Sequence, residues 1–241
     1  MVLRRVLQTL ILGVCVVVPV AAGAWWVSLE PGYVAGHKAA DNAERKLARE
    51  TFWTGLPVYV RIFKQESLLE LWMRRGQKWQ LFGTFPICSW SGRLGPKLKE
   101  GDGQSPEGFY TVAKSSLNPN SSYHLSFNLG FPNAYDRSHG RTGSFLMVHG
   151  SCVSIGCYAM TDPGIDIIYR LTEAALDAGQ TMVPVHIFPF WMSDENMARH
   201  SQSKWIDFWR ELKVGFDVFE ADRKVPKISV SPKRYVIKTP G

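Results

Sequence analysis

Two residue types that can act together on a carbonyl group stand eight residues apart in the stretch HGSCVSIGCYAM, residues 149–160. Cys157 offers a thiol, which is a strong nucleophile once ionised, and His149 offers an imidazole that can take the proton. Gly156, directly before the cysteine, leaves the approach to sulfur open and its backbone N–H free to face a developing oxyanion. The stretch therefore predicts a compact thiol site for acyl transfer, with Cys157 as nucleophile and His149 as base.

Two other interpretations of these residues stay open at this point. Cys157 can be an inert buried thiol, and His149 a strand-end histidine bonded to its surroundings. A zinc site would need His149, Cys152, Cys157 and His124, but their spacing matches no standard zinc finger or ribbon. The chain is therefore not expected to bind a metal, and no cofactor is expected.

The surrounding segments predict a β-rich mixed α/β domain. Runs of β-branched and aromatic residues that are typical of strands cover 57–64, 67–74, 78–88, 108–113, 123–129, 145–149 and 183–190. The strand 145–149 carries His149 at its end. A helix is expected from Asp162, capped by Thr161 or by Asp162 itself and ended by Gly179. A second amphipathic helix is expected from Ser193.

Several segments together resemble the YkuD-type L,D-transpeptidase catalytic domains of bacterial cell walls, and among these the YafK-like branch. The segments are HG at 149–150, SIGC at 154–157 followed by Met160, DGQSPEG at 102–108, YHLSFNLG at 123–130, PNAYD at 132–136 and RTGSF at 141–145. The resemblance covers about residues 57–190. It implies one β-rich catalytic domain with flanking helices, whose cysteine lies at the floor of a cleft.

The family acts on peptidoglycan. Its cysteine attacks the peptide bond after meso-diaminopimelate in a stem peptide, and the resulting thioester passes to an amine or to water. The resemblance implies that Cys157 is the nucleophile and His149 the base, with a backbone carbonyl near Gly150 or Ser151 orienting the imidazole. It also implies that the N–H groups of Gly156 and Cys157 are the oxyanion donors. Candidates for substrate binding in the same segments are Ser154, Tyr158, His124 and Asn128.

Two positions depart from the common family motif, which reads S-H-G-C with an arginine two residues after the cysteine. Ile155 stands in place of the motif's histidine, and Ala159 in place of the arginine. An arginine there could hold a substrate carboxylate through two hydrogen bonds, so its absence puts the ordinary crosslinking reaction in question.

The resemblance thus implies a cysteine-dependent acyltransferase on the diaminopimelate of stem peptides, active in cell-wall synthesis or remodelling. One alternative is a hydrolase of the same family, either an L,D-carboxypeptidase or an amidase that releases a protein linked to diaminopimelate. Another is a wall-binding protein without activity. The expected partners are peptidoglycan stem peptides and, for transfer, a wall-linked lipoprotein or another amine.

The formal charge of +7 is concentrated at the two ends of the chain. Residues 223–241 alone carry six basic residues, three prolines and no acid. Without residues 1–23 and 223–241, the chain has 20 basic and 21 acidic residues, a net charge of −1. A protein that reads nucleic acid more often carries its charge on a folded face, so nucleic acid is not an expected partner. Residues 221–241 are expected to form a basic, flexible tail.

The N-terminus is typical of an export signal. Residues 1–24 combine two arginines, an apolar stretch and the small residues AGA, and they predict a signal peptide or, if uncleaved, a membrane anchor. Residues 25–54 predict a polar helical spacer, and residues 55–220 the catalytic domain. The protein is expected in the periplasm. An oxidising compartment allows Cys88 and Cys152 to form a disulfide while Cys157 stays free, and two free thiols fit the sequence equally well.

Overall fold

The computed structural model describes residues 31–49 and 52–239. Its helices are α1 (Pro31–Ala48), α2 (Ala134–Ser138), α3 (Asp162–Asp177), α4 (Asp194–Arg199) and α5 (Ile206–Asp222), with a short 3-10 turn at Lys114–Ser116. Its strands are β1 (Val58–Phe63), β2 (Leu68–Arg75), β3 (Lys78–Trp90), β4 (Gly108–Val112), β5 (Leu117–Ser121), β6 (His124–Asn128), β7 (Met147–His149), β8 (Tyr158–Met160), β9 (Val183–Phe188), β10 (Lys227–Val230) and β11 (Tyr235–Lys238). The predicted signal or anchor, residues 1–24, lies outside the described residues. None of the described helices combines the length and the apolar character that a membrane span requires.

Nine strands form one sheet in the order β4-β9-β1-β2-β3-β8-β7-β6-β5. The pairs β1–β9 and β7–β8 are parallel, and the other neighbours are antiparallel. The 13-residue strand β3 pairs with β2 on one side and with β8 on the other, so it joins the two halves of the sheet. Register shifts at Leu71/Trp72 and at Ile87/Ser89 bend the strands there and let the sheet curl. The prediction of a β-rich mixed α/β fold is confirmed.

The main hydrophobic core includes side chains from the sheet, α1 and α3. Strand β1 is buried along its whole length. Helix α3 contributes Ile165, Ile168 and Leu171, which recur about one turn apart and so form one apolar face. Thr161 caps α3, because its Oγ1 accepts the Gly164 N–H at 3.3 Å. The predicted helix after Thr161 is confirmed.

Residues 31–48 are helical, as predicted, but helix α1 packs on the domain, so the prediction that they form a polar spacer is wrong. Ala40 and Ala43 are buried. Gly36 approaches the start of α3 so closely that a Cβ on it would lie 2.3 Å from Thr161 Oγ1. Small residues at 36, 40 and 43 recur about one turn apart, and this face lets the helix backbone lie close to its neighbours.

Residues 227–238 form an ordered hairpin, so the prediction of a flexible tail is wrong for this segment. The Tyr235 ring stacks on Tyr135 with the centroids 4.2 Å apart, and its hydroxyl accepts a hydrogen bond from Asn133 Nδ2 at 3.1 Å. Alternate apolar residues of the hairpin pack against the same cluster, namely Ile228, Val230 and Ile237. These contacts hold the segment on the domain despite its four basic residues and Pro232.

The helix predicted from Ser193 begins there, but the structure has two helices, α4 and α5, and not one continuous helix. Ser193 caps α4 by accepting the Asn196 N–H at 3.2 Å. The chain then turns over residues 200–205, where the His200 ring stacks on Phe190 with centroids 4.4 Å apart, before α5 begins. Strand β5 (LNPNS) lacks the β-branched and aromatic residues typical of a strand and was not predicted. Strand β8 and helix α2, of three and five residues, were not predicted either.

Candidate active site

His149 and Cys157 come together because β7 and β8 are parallel neighbours in the sheet. His149 is the last residue of β7, Cys157 directly precedes β8, and the register pairs His149 with Ala159. Cys157 therefore lies beside Met147, whose N–H reaches the sulfur at 3.4 Å. The sheet thus brings together two residues that the sequence separates by a loop.

The imidazole of His149 is fixed in one orientation. Its Nδ1 lies 2.6 Å from the carbonyl oxygen of Gly150, and since a carbonyl only accepts, Nδ1 carries the proton. The ring of Tyr123 covers it, with centroids 5.1 Å apart. Among the described residues, Nε2 has no hydrogen-bond partner, so its lone pair is available for a proton. Burial lowers the pKa of His149, and the Gly150 hydrogen bond opposes this only in part.

The thiol of Cys157 is half-buried and protonated at rest. Burial raises its pKa, while the Met147 N–H and the charge of Lys97 act in the opposite direction. Its proton points toward the carbonyl oxygen of Phe145 at 3.6 Å. Within the described residues the sulfur makes no hydrogen bond to His149.

Both shifts favour the neutral forms of the pair. A neutral imidazole with an open Nε2 can act as a general base, whereas an imidazolium cannot. A thiol with a raised pKa becomes a nucleophile only when a base removes its proton as the reaction proceeds. The arrangement therefore suits a site in which thiolate forms in the presence of substrate.

Gly156 adopts a backbone conformation that other residues avoid, with φ +107°. The sequence predicts a free Gly156 N–H, and this is wrong, because the N–H donates to the Ser91 hydroxyl at 2.5 Å. Sequence reasoning missed Ser91, which directly follows β3. No local motif could have revealed it, since it reaches Gly156 only through the pairing of β3 with β8.

Three serines from three segments hold the backbone around Cys157. The Cys157 carbonyl accepts hydrogen bonds from Ser105 Oγ and from Ser154 Oγ, both at 2.8 Å. Ser105 Oγ in turn accepts the Ser91 N–H at 3.1 Å. Ser154, predicted to bind substrate, uses its hydroxyl within the protein instead, so we assign it to the support of the loop.

The other predicted substrate-binding residues have different surroundings. Tyr158 is fully buried and its hydroxyl donates to the Pro106 carbonyl at 2.8 Å, so its prediction as a substrate ligand is wrong. Asn128 Oδ1 accepts the Gly130 N–H at 2.9 Å. His124 is exposed beside the site, and its Nε2 lies 2.6 Å from Asp166 Oδ1. Only His124 of these three offers an exposed side chain.

The turn after His149 is tightly constrained. Ser151 and Cys152 have φ of +65° and +48°, and the Ser151 N–H donates to Asp162 Oδ1 at 2.7 Å. Cys152 forms a disulfide with Cys88, with Cα atoms 5.3 Å apart, which resolves the two alternatives left by the sequence. The zinc interpretation is wrong as formulated, because the Cys152 sulfur is already bonded.

The loop that carries Ser91 and Ser105 is anchored on a buried charge. Lys64 Nζ donates to the carbonyls of Arg93 at 2.8 Å and Ser105 at 2.7 Å, and it lies 3.3 Å from Glu107 Oε1. Both charged side chains have no exposed surface. The DGQSPEG segment thus supplies a structural carboxylate, Glu107, and a serine that reaches the cysteine backbone.

Exposed apolar side chains surround the reactive pair. Ile155 is 89% exposed and Phe145 73% exposed, although Phe145 also has a strained φ of +53°. Tyr123 and Val153 are exposed as well. Lys97 lies nearby and pairs with Asp102 at 2.5 Å. Burial alone would raise the pKa of Asp102, but hydrogen bonds from Lys97 and from backbone amides hold it below its ordinary value.

The sequence model of the YkuD L,D-transpeptidase catalytic domain matches residues 57–187, which include this whole arrangement. The chain belongs to this family. A relative from Escherichia coli K12, named "Putative L,D-transpeptidase YafK", is 53% identical over 186 residues, or 77% of this chain and 76% of the relative. A protein of the same name from Escherichia coli O157:H7 gives the same values. The resemblance to the YkuD family and its YafK-like branch is confirmed.

Two solved structures of the helical cell shape determining protein Pgp2 from Campylobacter jejuni are similar to this YkuD domain at low identity. A point mutant is 19% identical with a TM-score of 0.47, covering 77% of this chain and 66% of that chain, just under two thirds of its length. Another structure of the protein is 17% identical with a TM-score of 0.45, covering 78% and 80%.

Proposed function

We propose that this YkuD-family protein is a cysteine-dependent peptidoglycan acyltransferase that works through a thioester on Cys157. The observation that carries the proposal is the pairing of the half-buried Cys157 thiol with a His149 imidazole whose Nδ1 is locked on Gly150 and whose Nε2 is open. The family's action on peptidoglycan stem peptides supplies the substrate class.

In the first step His149 Nε2 takes the thiol proton as sulfur attacks the carbonyl carbon of a diaminopimelate residue. The carbon–sulfur bond forms, the carbonyl electrons move onto oxygen, and a tetrahedral oxyanion results. When it collapses, the carbon–nitrogen bond breaks and His149 returns the proton to the departing amine, which is D-alanine in a tetrapeptide stem.

In the second step an amine attacks the thioester. His149 takes a proton from this amine, the carbon–sulfur bond breaks, and the proton returns to sulfur. A new amide links diaminopimelate to the acceptor, which we propose is another stem peptide or a wall-linked lipoprotein. Mass balance requires only the acceptor and no cofactor.

Hydrolysis of the same thioester is a second candidate, and Ala159 is the observation that favours it. Ala159 is fully buried and has no group that can hold a substrate carboxylate, where the common family motif has an arginine. If no acceptor is held in place, water is the remaining nucleophile, and the products are a shortened stem or a protein released from diaminopimelate.

The test is mass spectrometry of tetrapeptide muropeptides incubated with the purified protein, with and without an added amine. Amine adducts would identify a transferase, and tripeptide alone under both conditions a hydrolase. Cys157→Ala should abolish both products, and His149→Ala should lower turnover at least about 100-fold, the usual scale for a lost general base. His139→Ala, a surface histidine in contact with Tyr135, serves as the matched control.

No product in either condition, together with no covalent labelling of Cys157 by a carbapenem, would favour a wall-binding protein without activity. If no product forms but the carbapenem labels Cys157, the thiol is reactive and the proposed muropeptide substrate is wrong. In that case a substrate with a protein attached to diaminopimelate is the next to test.

We also propose that the domain works in the periplasm. The Cys88–Cys152 disulfide supports this, since disulfides persist in oxidising compartments. Fractionation of cells that express the full chain, with a protease-accessibility assay on spheroplasts, tests both the compartment and the attachment through residues 1–24. A protein found in the cytoplasm would contradict the proposal.

A further inference from the structure

We infer that the Ser91 hydroxyl is a catalytic residue that donates a hydrogen bond to the oxyanion formed during attack by Cys157. This rests on the proposed function, because the oxyanion exists only if Cys157 attacks a carbonyl. Ser91 adds a side-chain donor to a site in which the sequence predicted backbone donors alone.

The register of the sheet places Ser91 opposite Cys157. Antiparallel strands β3 and β8 pair Ser89 with Ala159 and Trp90 with Tyr158. One further step along the same register sets Ser91 across from Cys157. Residues directly opposite in an antiparallel pair project to the same face, with Cβ atoms roughly 4.5–5.5 Å apart. The hydroxyl and the thiol therefore share one face of the sheet.

The hydrogen bonds of Ser91 leave its own proton available. Ser91 Oγ accepts the Gly156 N–H at 2.5 Å, and the Ser91 N–H is held by Ser105 Oγ at 3.1 Å. Among the described residues, the Ser91 O–H donates to no protein group. A hydroxyl has one donor and two acceptor positions, so this one is fixed in place while its donor stays free.

The hydrogen bond from the Gly156 N–H polarises the Ser91 hydroxyl. A hydroxyl that accepts a hydrogen bond becomes a stronger donor, because linked hydrogen bonds polarise one another. As sulfur bonds to the carbonyl carbon, negative charge develops on oxygen, and Ser91 O–H donates to it beside the N–H of Cys157. Ser91 keeps its proton throughout, and the proton taken from the thiol stays with His149 until the amine leaves.

The experiment compares two reactions of the same sulfur. Turnover of tetrapeptide muropeptide passes through an oxyanion, whereas alkylation of Cys157 by iodoacetamide displaces iodide and forms none. Ser91→Ala in the full chain should lower kcat by about 10²–10³-fold, the loss measured when one oxyanion donor is removed. It should slow the alkylation of Cys157 far less than turnover, because alkylation loses only the support that Ser91 Oγ gives to the Gly156 N–H. Ser91→Thr, which keeps the hydroxyl, should retain most of the turnover.

Two further variants separate donation from support. Ser229→Ala removes a hydroxyl from the C-terminal hairpin and should change neither rate. Ser105→Ala removes a hydroxyl that holds the Cys157 carbonyl and should slow both reactions, because it acts on the position of the backbone. If Ser91→Ala does not fold, Ser91→Gly lacks the same hydroxyl and provides the same comparison.

Equal loss of turnover and alkylation in Ser91→Ala would overturn the inference, because it would show that Ser91 only supports the loop. Unchanged turnover, or loss of turnover in Ser91→Thr, would overturn it as well. If the wild-type protein alkylates normally but forms no product with any acyl substrate, the proposed function fails and the role of Ser91 fails with it. In that case the wild-type protein itself is inactive, whereas a failure of the Ser91 role alone leaves the wild-type protein active and is seen only in the variants.

Discussion

Replacement of Lys64 by methionine should destabilise the protein more than most single substitutions. Lys64 and Glu107 are both fully buried, and Lys64 also donates to the carbonyls of Arg93 and Ser105 in the loop that carries Ser91 and Ser105. Methionine keeps much of the volume but leaves the Glu107 carboxylate buried without its cation. Breaking a buried ion pair in this way costs about 3–5 kcal/mol. Since about 2–4 °C are lost per kcal/mol in a domain of this size, Tm should fall by about 6–20 °C.

Urea denaturation of Lys64→Met, Glu107→Gln and the double variant measures the effect and its origin. The double variant should lose less than the sum of the two single variants, because neither charge is then left alone. Lys114→Met is the matched control, since Lys114 pairs with Asp177 on the surface at 2.6 Å and should contribute little to stability. A loss below about 1 kcal/mol for Lys64→Met, the range of exposed pairs, would refute this account of the buried pair.

Three further results are expected. The pH midpoint for alkylation of Cys157 should lie above the ordinary thiol range, because burial raises the pKa of Cys157, and a thiolate at low pH would contradict this. Turnover should persist below pH 6.5, because burial lowers the pKa of His149 and keeps the imidazole neutral there. Tyr235→Ala should lower the free energy of unfolding by about 3 kcal/mol, as for a buried aromatic residue, and a flexible tail would give no change in urea denaturation. Cys88→Ser should lower the free energy of unfolding in urea by about 4 kcal/mol, since the disulfide spans 64 residues. Turnover below the melting temperature should stay intact, and its loss in the folded variant would show that the disulfide takes part in the chemistry.

Strands β1 to β4, β6, β7 and β9 and helix α3 were predictable because their signals are local. β-branched and aromatic runs mark the strands, and α3 begins at a capping residue, Thr161, and ends before Gly179, whose φ is +103°. The pair His149 and Cys157 was predictable as a chemical combination. Their meeting in space depends on β7 and β8 being parallel neighbours, which spacing alone does not determine.

The two terminal errors have a common physical cause, because in both segments charge outweighed a weaker apolar pattern. In the hairpin, Ile228 and Val230 alternate with polar residues on the first strand, and Tyr235 and Ile237 lie two residues apart on the second, at the period of a strand. In α1 the stripe consists of small residues, which carry little hydrophobicity but allow close approach. Both signals were present in the sequence and were too short or too weak to dominate its composition.

The surroundings of Cys157 could not be predicted, since they come from residues far away in the sequence. Ser91 reaches Gly156 across 65 positions, and Ser105 reaches the Cys157 carbonyl across 52. Tyr158 lies next to Cys157, yet the alternation of β8 turns its side chain into the core. Proximity in sequence therefore selected Tyr158 as a substrate ligand and overlooked Ser91.

The resting state of the site explains why oxyanion stabilisation should matter here. With ordinary pKa values of about 8.5 for a thiol and about 6.5 for an imidazole, moving the proton from sulfur to nitrogen costs about 2.7 kcal/mol. Burial raises the pKa of Cys157 and lowers that of His149, so both shifts increase this cost. The ion pair is therefore not stored in the free protein. Proton transfer becomes favourable only as negative charge moves from sulfur to the carbonyl oxygen, where the Ser91 O–H and the Cys157 N–H can donate hydrogen bonds to it. A site built in this way makes its thiol slow to react with general electrophiles at neutral pH and favours reaction with a carbonyl group placed between the sulfur and those donors.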